Sequence, residues 1–231
     1  MPEQSSSAAA VWSDPEFARA WLGADPQGAG DLLELPRRIA AGLVAEETPA
    51  PGLVVDVAGG AGKFLSVLLD AFPGARGVWL DVSATMLDRA RSDLARFGDR
   101  VDFLMGDMTA LRAAGVPGGA DVLLSSRASH HLGRAELHGF YREAAGLLAP
   151  GGWLVNLDHI APDDALWDRR YRSVRTRFTP PRPAATAHHH DGPLPTVRDH
   201  LDGYRAAGVN EVDIAWKAFY TCLFAGRTAG A

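Results

Sequence analysis

The segment 54–64, VVDVAGGAGKF, constrains this chain more than any other. A short apolar run carries one aspartate, a glycine-rich turn follows, and a helical pattern begins at once. Glycine has no Cβ, so such a turn can take positive φ and let a ligand approach the backbone closely. Strand-to-helix turns of this kind hold nucleotide-like cofactors beyond the carboxyl ends of parallel strands. The rhythm then repeats. LVVDVA, ARGVWLDV, VDFLMGD, ADVLLSS and WLVNLDH read as five buried strands, separated by helical runs such as KFLSVLLDAF and ELHGFYREAAGLL, with APGG as a turn before the fifth. Continuous apolar strands alternating with helices predict an α/β fold, a parallel sheet covered on both faces. Right-handed crossovers make it a doubly wound three-layer sandwich. NEVDIAW and AFYTCLFAGR read as two more strands joined by a tight turn, a hairpin foreign to an ordinary dinucleotide-binding domain.

The flanks are organised differently. Residues 1–10 are Ser/Ala-rich and expected to be disordered. Trp12, Phe17 and Trp21 mark one amphipathic helical segment and Leu32, Leu35, Ile39 and Leu43 a second, before the linker EETPAPG. Residues 1–49 are thus predicted to form an N-terminal helical extension or lid, and 50–231 the main domain. Within that domain 160–195 interrupts the alternation and is expected to be a cap or lid insertion. Trp167, Tyr171, Val174 and Phe178 recur at helical spacing, and a proline- and histidine-rich stretch follows. Thr196 suits the N-cap of a helix running to Ala207 and closed by Gly208.

With 231 residues and 47% hydrophobic content the chain can bury one sizeable core. A net charge of −5 argues against a nucleic-acid partner, which calls for concentrated positive charge. Cys222 is the only cysteine, which excludes an intrachain disulfide and a thiolate metal cluster. No apolar run approaches the ~20 residues that cross a bilayer, and the first residues lack the pattern of a secretory signal. No membrane association and a cytoplasmic location are therefore expected. His188–His190 are consecutive on a loop and point in different directions, so no metal site is predicted. His189 is taken instead as an inward-facing lid residue.

The turn discriminates among cofactors. A dinucleotide fingerprint starting at Gly60 needs glycine where Leu65 stands. A triphosphate loop needs Ser or Thr where Phe64 stands, and glycine where Val57 stands. S-adenosylmethionine (SAM) has no phosphates and requires neither. It calls for close backbone approach at its amino-acid end and for acidic groups facing its ammonium and ribose. Asp56, Asp81 and Asp107 are carboxylates at the ends of three successive strands, all on one edge of the sheet. Asp81 is placed to accept the ribose hydroxyls, Asp107 the adenine amino group, and Asp56 to hold waters or backbone donors near the methionine end.

VVDVAGGAGKF, WLDVSATMLDRAR, VDFLMGDM, ADVLLSSRASHHL and LLAPGGWLVNLDH, in this order and spacing, resemble the class I SAM-dependent methyltransferases over about residues 50–226. The resemblance implies a Rossmann-like seven-stranded sheet with an antiparallel last strand. It also implies SAM contacts by Asp56, by the turn of Ala58, Gly59, Gly60 and Gly62, by Asp81 with Val82, by Asp107 with Met108, and by Ser125 at the tip of the fourth strand. S-adenosylhomocysteine would be the product. The chain departs from the family pattern at Ala58, where the first glycine of the loop is usual. A methyl group there is tolerated if φ is negative.

Methyl transfer depends mainly on near-attack geometry, with a base needed only where the acceptor must lose a proton. His130 and His131 follow the fourth strand and are the candidate bases, since a histidine keeps a neutral fraction near pH 7. Asp158 and His159 end the fifth strand and could touch substrate or cap the turn into Ala161 and Pro162. Arg127 could pair with an acidic substrate group or a nearby carboxylate. Trp12 and Trp21 could cover the mouth of the site and grip an apolar molecule, or simply pack in the core. The expected activity is methylation of a small organic molecule in secondary metabolism, by default at oxygen. One competing reading keeps the fold for a non-methylating cyclisation, elimination or rearrangement. Another makes the chain a non-catalytic partner subunit. A homodimer or a partner protein is compatible with all three.

Overall fold

The computed structural model describes residues 8–24, 33–178 and 193–230. Seven strands form one sheet in the order β3-β2-β1-β4-β5-β7-β6. They are β1 (Leu53–Val57), β2 (Arg76–Asp81), β3 (Val101–Met105), β4 (Ala120–Ser126), β5 (Leu148–His159), β6 (Glu211–Ala218) and β7 (Thr221–Arg227). The first five pair in parallel, and β7 runs antiparallel to both β5 and β6. The strand order reverses direction between β1 and β4, and this is where a crevice opens beyond the carboxyl ends of such a sheet.

Strand alternation divides the core into two layers. Val54, Trp79, Val122, Leu124, Val155 and Leu223 face one layer, with α3 (Glu34–Glu47), α4 (Lys63–Ala71) and α5 (Ala84–Leu94). Val55, Val57, Leu80, Leu123, Leu154 and Phe224 face the other, with α6 (Arg134–Ala145) and α8 (Val197–Ala206). Each such side chain is worth roughly 1.5–3 kcal/mol when fully buried, so the two layers together hold the sheet rigid beneath the loops. Thr196 caps α8 as expected: its hydroxyl accepts from Asp199 N, and the Asp199 carboxylate accepts from Thr196 N.

Several boundaries differ from the sequence expectation. The first amphipathic segment is broken at Asp14 into α1 (Ala8–Ser13) and α2 (Pro15–Ala24). In α3 the buried face is Pro36, Arg37, Ala40, Ala41 and Val44, while Leu35 is 60% exposed. Small residues let the helix approach α4 closely, and that outweighs the larger but offset Leu/Ile stripe. APGG does not precede β5 but belongs to it, with Gly151 at φ 75° and a register shift opposite Ala120 and Val122. Conversely, β3 ends at Met105, two residues before Asp107. The helix α7 (Ala165–Arg175) forms where Trp167, Tyr171 and Val174 predicted it, but none of its residues is buried. Among the described residues no helix is long and apolar enough to cross a membrane.

Candidate functional site

A cavity of about 1040 Å³ lies over the carboxyl ends of β1, β2 and β4. One end is built by the glycine turn. Gly59 N donates to Leu80 O (3.0 Å) and Gly62 N to Gly59 O (2.8 Å), which curls the backbone between β1 and α4. Trp79 Nε1 donates to Gly60 O at 3.0 Å from beneath. A Cβ on Gly59 would lie 2.5 Å from the Trp79 ring, whereas one on Gly60 would meet nothing within 4 Å. Gly59 is therefore glycine for packing. Gly60, at φ 52°, presents bare backbone to open space, as close approach of a ligand requires.

Ala58 takes φ 53°, so the condition of a negative φ is not met. The residue adopts the left-handed conformation a glycine would have taken, at a cost of roughly 1–2 kcal/mol for an L-residue. The turn's hydrogen bonds impose that geometry. Gly62, also left-handed, caps α4 and packs against Leu94, and it lies outside the cavity lining. Its place among the cofactor contacts is corrected to a structural one.

Asp56 and Asp81 both line the cavity but differ in their partners. Asp81 Oδ2 accepts from Gly60 N (2.9 Å) and Oδ1 from Ser83 N (2.9 Å). It thus ties the glycine turn to the start of α5, where Ser83 is the N-cap. Burial raises its carboxyl pKa, and the backbone donors of Ser83 and Gly60 offset part of that. Asp56 lies under the first turn of α4, with Oδ2 accepting from Leu65 N at 3.3 Å. Its Oδ1 is buried without a hydrogen-bond partner among the described residues. Burial pushes the Asp56 carboxyl up to about 7, against the backbone donor of Leu65 and the neighbouring Arg37 guanidinium, which pull it down.

Arg37 was not singled out from sequence. It reaches into the same cavity from α3 and is only 4% exposed. The signal was present in the spacing 37, 40, 41, 44, a tighter helical face than the stripe through Leu35. Val82 and Met108 line the cavity with Asp107, whose Oδ1 accepts from Thr109 N and Oγ1, both at 2.8 Å.

The other end of the cavity holds His130 and His131 in a short 3₁₀ turn after β4. His130 Nδ1 lies 2.5 Å from Asp158 Oδ1, and both side chains are buried. Burial alone would raise the Asp158 pKa. The His130 charge and hydrogen bond, His159 and the Ser129 hydroxyl outweigh it and hold the carboxyl well below the usual range. An ionised Asp158 is an acceptor only, so Nδ1 of His130 carries the proton and the lone pair of the neutral ring is on Nε2. His131 accepts from Trp12 Nε1 at 3.4 Å. Trp12 packs edge-on against Phe17 and Trp21, each at 5.2 Å, and the Arg127 guanidinium lies 5.7 Å from the Trp21 ring centroid. Arg127 itself sits at φ 55°.

Three expected ligand contacts fail on geometry. Ser125 pairs in register with Asn156, faces the α6–α8 layer and is 1% exposed; by alternation it is Ser126 that lines the cavity. Asp158 also points into that layer, fully buried, and reaches the cavity only through His130. His159 does not line the cavity; its Nδ1 lies 3.3 Å from Thr221 Oγ1 on the neighbouring strand. His189 lies outside the described residues. Among the described residues no group of three His, Cys, Asp or Glu side chains is arranged to hold a metal ion.

Residues 54–152 match the model of a methyltransferase domain family. The chain is 35% identical over 109 residues to the 3-amino-4-hydroxybenzoate 4-O-methyltransferase of Streptomyces cremeus, a match covering 47% of this chain and 29% of that protein. It is 32% identical over 108 residues to the mitomycin biosynthesis 6-O-methyltransferase of Streptomyces lavendulae, covering 46% and 30%. These matches span less than a third of either relative. In three dimensions the chain superimposes on human N-acetylserotonin methyltransferase, solved in complex with SAM, with a TM-score of 0.66 at 14% identity, covering 99% of this chain and 60% of that one.

Proposed function

We propose that the chain is a class I SAM-dependent methyltransferase that methylates a hydroxyl group on a small, largely apolar organic molecule of secondary metabolism. One observation carries the reading: a single cavity joins the glycine turn at one end to the His130–Asp158 pair at the other. Its volume of about 1040 Å³ is at the top of the range for small-molecule sites, ~300–1,000 Å³, room for two ligands side by side. The two relatives compared are both named as O-methyltransferases of aromatic or natural-product substrates.

The residues present suit SAM. Gly60 offers open backbone, and the partnerless Oδ1 of Asp56 beside the Arg37 guanidinium suits a zwitterionic amino-acid end. Asp81 keeps lone pairs for ribose hydroxyls after accepting from Gly60 and Ser83, and Asp107 with Met108 borders the adenine position. When bound, SAM supplies an electrophilic methyl group on a sulfonium. The protein's own work is then orientation and proton transfer. Trp12 and Trp21 screen the site from water and present ring faces to the acceptor. Arg127 lies where an acidic group on the acceptor would be neutralised. His130 takes the hydroxyl proton on Nε2, and Asp158 stabilises the resulting imidazolium, a role worth roughly 10²–10⁴ in rate.

The test is transfer of radiolabelled methyl from SAM to a panel of hydroxylated aromatic acids and quinones. Label appearing in product, and falling away with His130→Ala, supports the proposal. Label that never leaves SAM while an acceptor changes mass or ring count sinks it in favour of a non-methylating enzyme.

A further inference from the structure

Behind His130, out of contact with the cavity, lies a buried polar network that the chemistry above does not use. Asn156 stands two residues before Asp158 on β5, so strand alternation puts both on the α6–α8 face. Its side-chain amide donates to Ser129 Oγ at 2.8 Å and to Tyr141 Oη at 2.7 Å. Ser129 Oγ donates to Asp158 Oδ2 at 2.6 Å. Tyr141 Oη lies 2.6 Å from His200 Nδ1. Asn156, Ser129, Asp158, Tyr141 and His200 are each 0% exposed.

The donor count assigns every proton in this chain. An amide nitrogen has two hydrogens and no lone pair to share, so Ser129 and Tyr141 are both acceptors toward Asn156. Each hydroxyl has one proton left. Ser129 must give its own to Asp158, and Tyr141 must give its own to His200 Nδ1. His200 is therefore neutral with its proton on Nε2, consistent with burial pushing its pKa down to about 4. Asp158 collects four donors: Ser129 Oγ, His130 N, His159 N and His130 Nδ1. The Asn156 amide also breaks any proton path from His130 to His200, since it cannot pass a proton on.

We propose that Ser129 and Asn156, backed by Tyr141 and His200, are positioning residues that hold Asp158 ionised and lock His130 as the Nδ1–H tautomer, with its basic nitrogen toward the acceptor. Burying this many polar groups is unfavourable unless they are paired; Asn156 Oδ1 and His200 Nε2 have no partner among the described residues, and the paired groups converge on His130, which lines the cavity with His131. The proposal rests on His130 being the base but is tested without catalysis. The titratable groups around His130 are Asp158 and His159 from β5, His131 beside it and His200 from α8; behind them Tyr141 couples to Asp158 and Cys222, and His138 and Asp199 couple to His200. They are common to wild type and variant, so a difference between the two isolates the hydroxyl removed.

The experiment is ¹⁵N-detected ring titration of the histidines in the full chain without ligands, with His130 assigned by its loss in His130→Gln. Wild type is expected to show the neutral His130 ring as the Nδ1–H tautomer. Ser129→Ala removes one donor from Asp158, makes that carboxylate more basic and should raise the His130 midpoint by about one pH unit. Ser129→Thr, which keeps the hydroxyl, should restore it, and Asn156→Leu should shift it the same way by less. If Ser129→Ala does not fold, Ser129→Cys, a weaker donor, should give an intermediate rise. An Nε2–H tautomer in wild type, or a folded Ser129→Ala or Ser129→Cys chain with an unmoved midpoint, overturns the proposal whether or not the chain proves to transfer methyl groups. Where methyl transfer is measurable, the acidic limb of kcat/KM should move with the midpoint while KM stays put.

Discussion

At the glycine-turn end of the cavity, Asp81 and Asp107 are held by backbone and side chains close by in the sheet, and Arg37 reaches in from a helix outside it. Asp81 bonds the turn of the preceding βα unit, and Asp107 bonds Thr109 two residues on. At the His130 end, the groups come from across the chain: Trp12 meets His131 over 119 residues, His130 meets Asp158 over 28, and Tyr141 meets His200 over 59. The first end is backbone geometry with carboxylates at or near the strand ends. The second is side-chain geometry held by a buried network, and it is where one enzyme on this sheet can differ from another. The contrast implies that cofactor binding and acceptor chemistry can be broken separately.

The sharpest cut is His130→Ala. Methyl transfer should fall by roughly 10²–10⁴ while SAM affinity, measured by calorimetry, stays within twofold. A parallel loss of affinity would show that the two ends are not independent. The reciprocal cut is Asp81→Ala, which removes the acceptor of Gly60 N as well as the proposed ribose ligand. SAM and S-adenosylhomocysteine should both bind at least tenfold more weakly, ~1.4 kcal/mol; unchanged binding would place the ribose elsewhere.

Asp56 ties the cradle to pH. Its folded carboxyl holds a proton up to about 7, against 3.8 as the ordinary value. The folded state binds more protons than the unfolded one between these values. The stability Asp56 contributes is thus complete below about 3.8 and lost as pH rises through 7. Thermal unfolding of the ligand-free chain should fall from pH 5 to pH 8, less steeply in Asp56→Asn. SAM binding should strengthen over the same range, by up to roughly tenfold per pH unit below 7, because a cationic amino group favours the ionised carboxylate. Flat binding from pH 6 to 8 would remove Asp56 from the ligand's amino end.

Trp12→Ala should act at the other end alone, raising KM for the acceptor several-fold through loss of an aromatic wall and leaving SAM affinity as it was. The smallest effect belongs to Ala58→Gly. Relief of left-handed strain, ~1–2 kcal/mol, is offset by the added freedom of glycine in the unfolded chain, ~0.5–1 kcal/mol. The melting temperature should rise by no more than about 2–4 °C, and a fall would mean that the methyl group packs favourably.

The cradle was legible because it is local. Alternating apolar runs, a glycine turn and three aspartates at or near the strand ends are readable from spacing, since period and backbone conformation follow from neighbouring residues. The sheet with its terminal antiparallel hairpin followed from the same patterns. Where the signal was a choice between adjacent faces, it was misjudged: Ser125 for Ser126 on β4, and the Leu35 stripe for the Arg37 face on α3. Asn156 had a signal that went unused, a lone amide in an otherwise apolar strand two positions from an aspartate.

Sequence by itself determined the layered α/β core and picked out the glycine turn, three carboxylates and two histidines that line the cavity. Only the tertiary structure decided which histidine is oriented by Asp158, that Asp158 faces away from the cavity, and that Arg37 stands beside Asp56. The physical reason is that periodicity encodes which way a side chain leaves its own element. It does not encode which distant side chain waits there, and a buried hydrogen bond is settled by both.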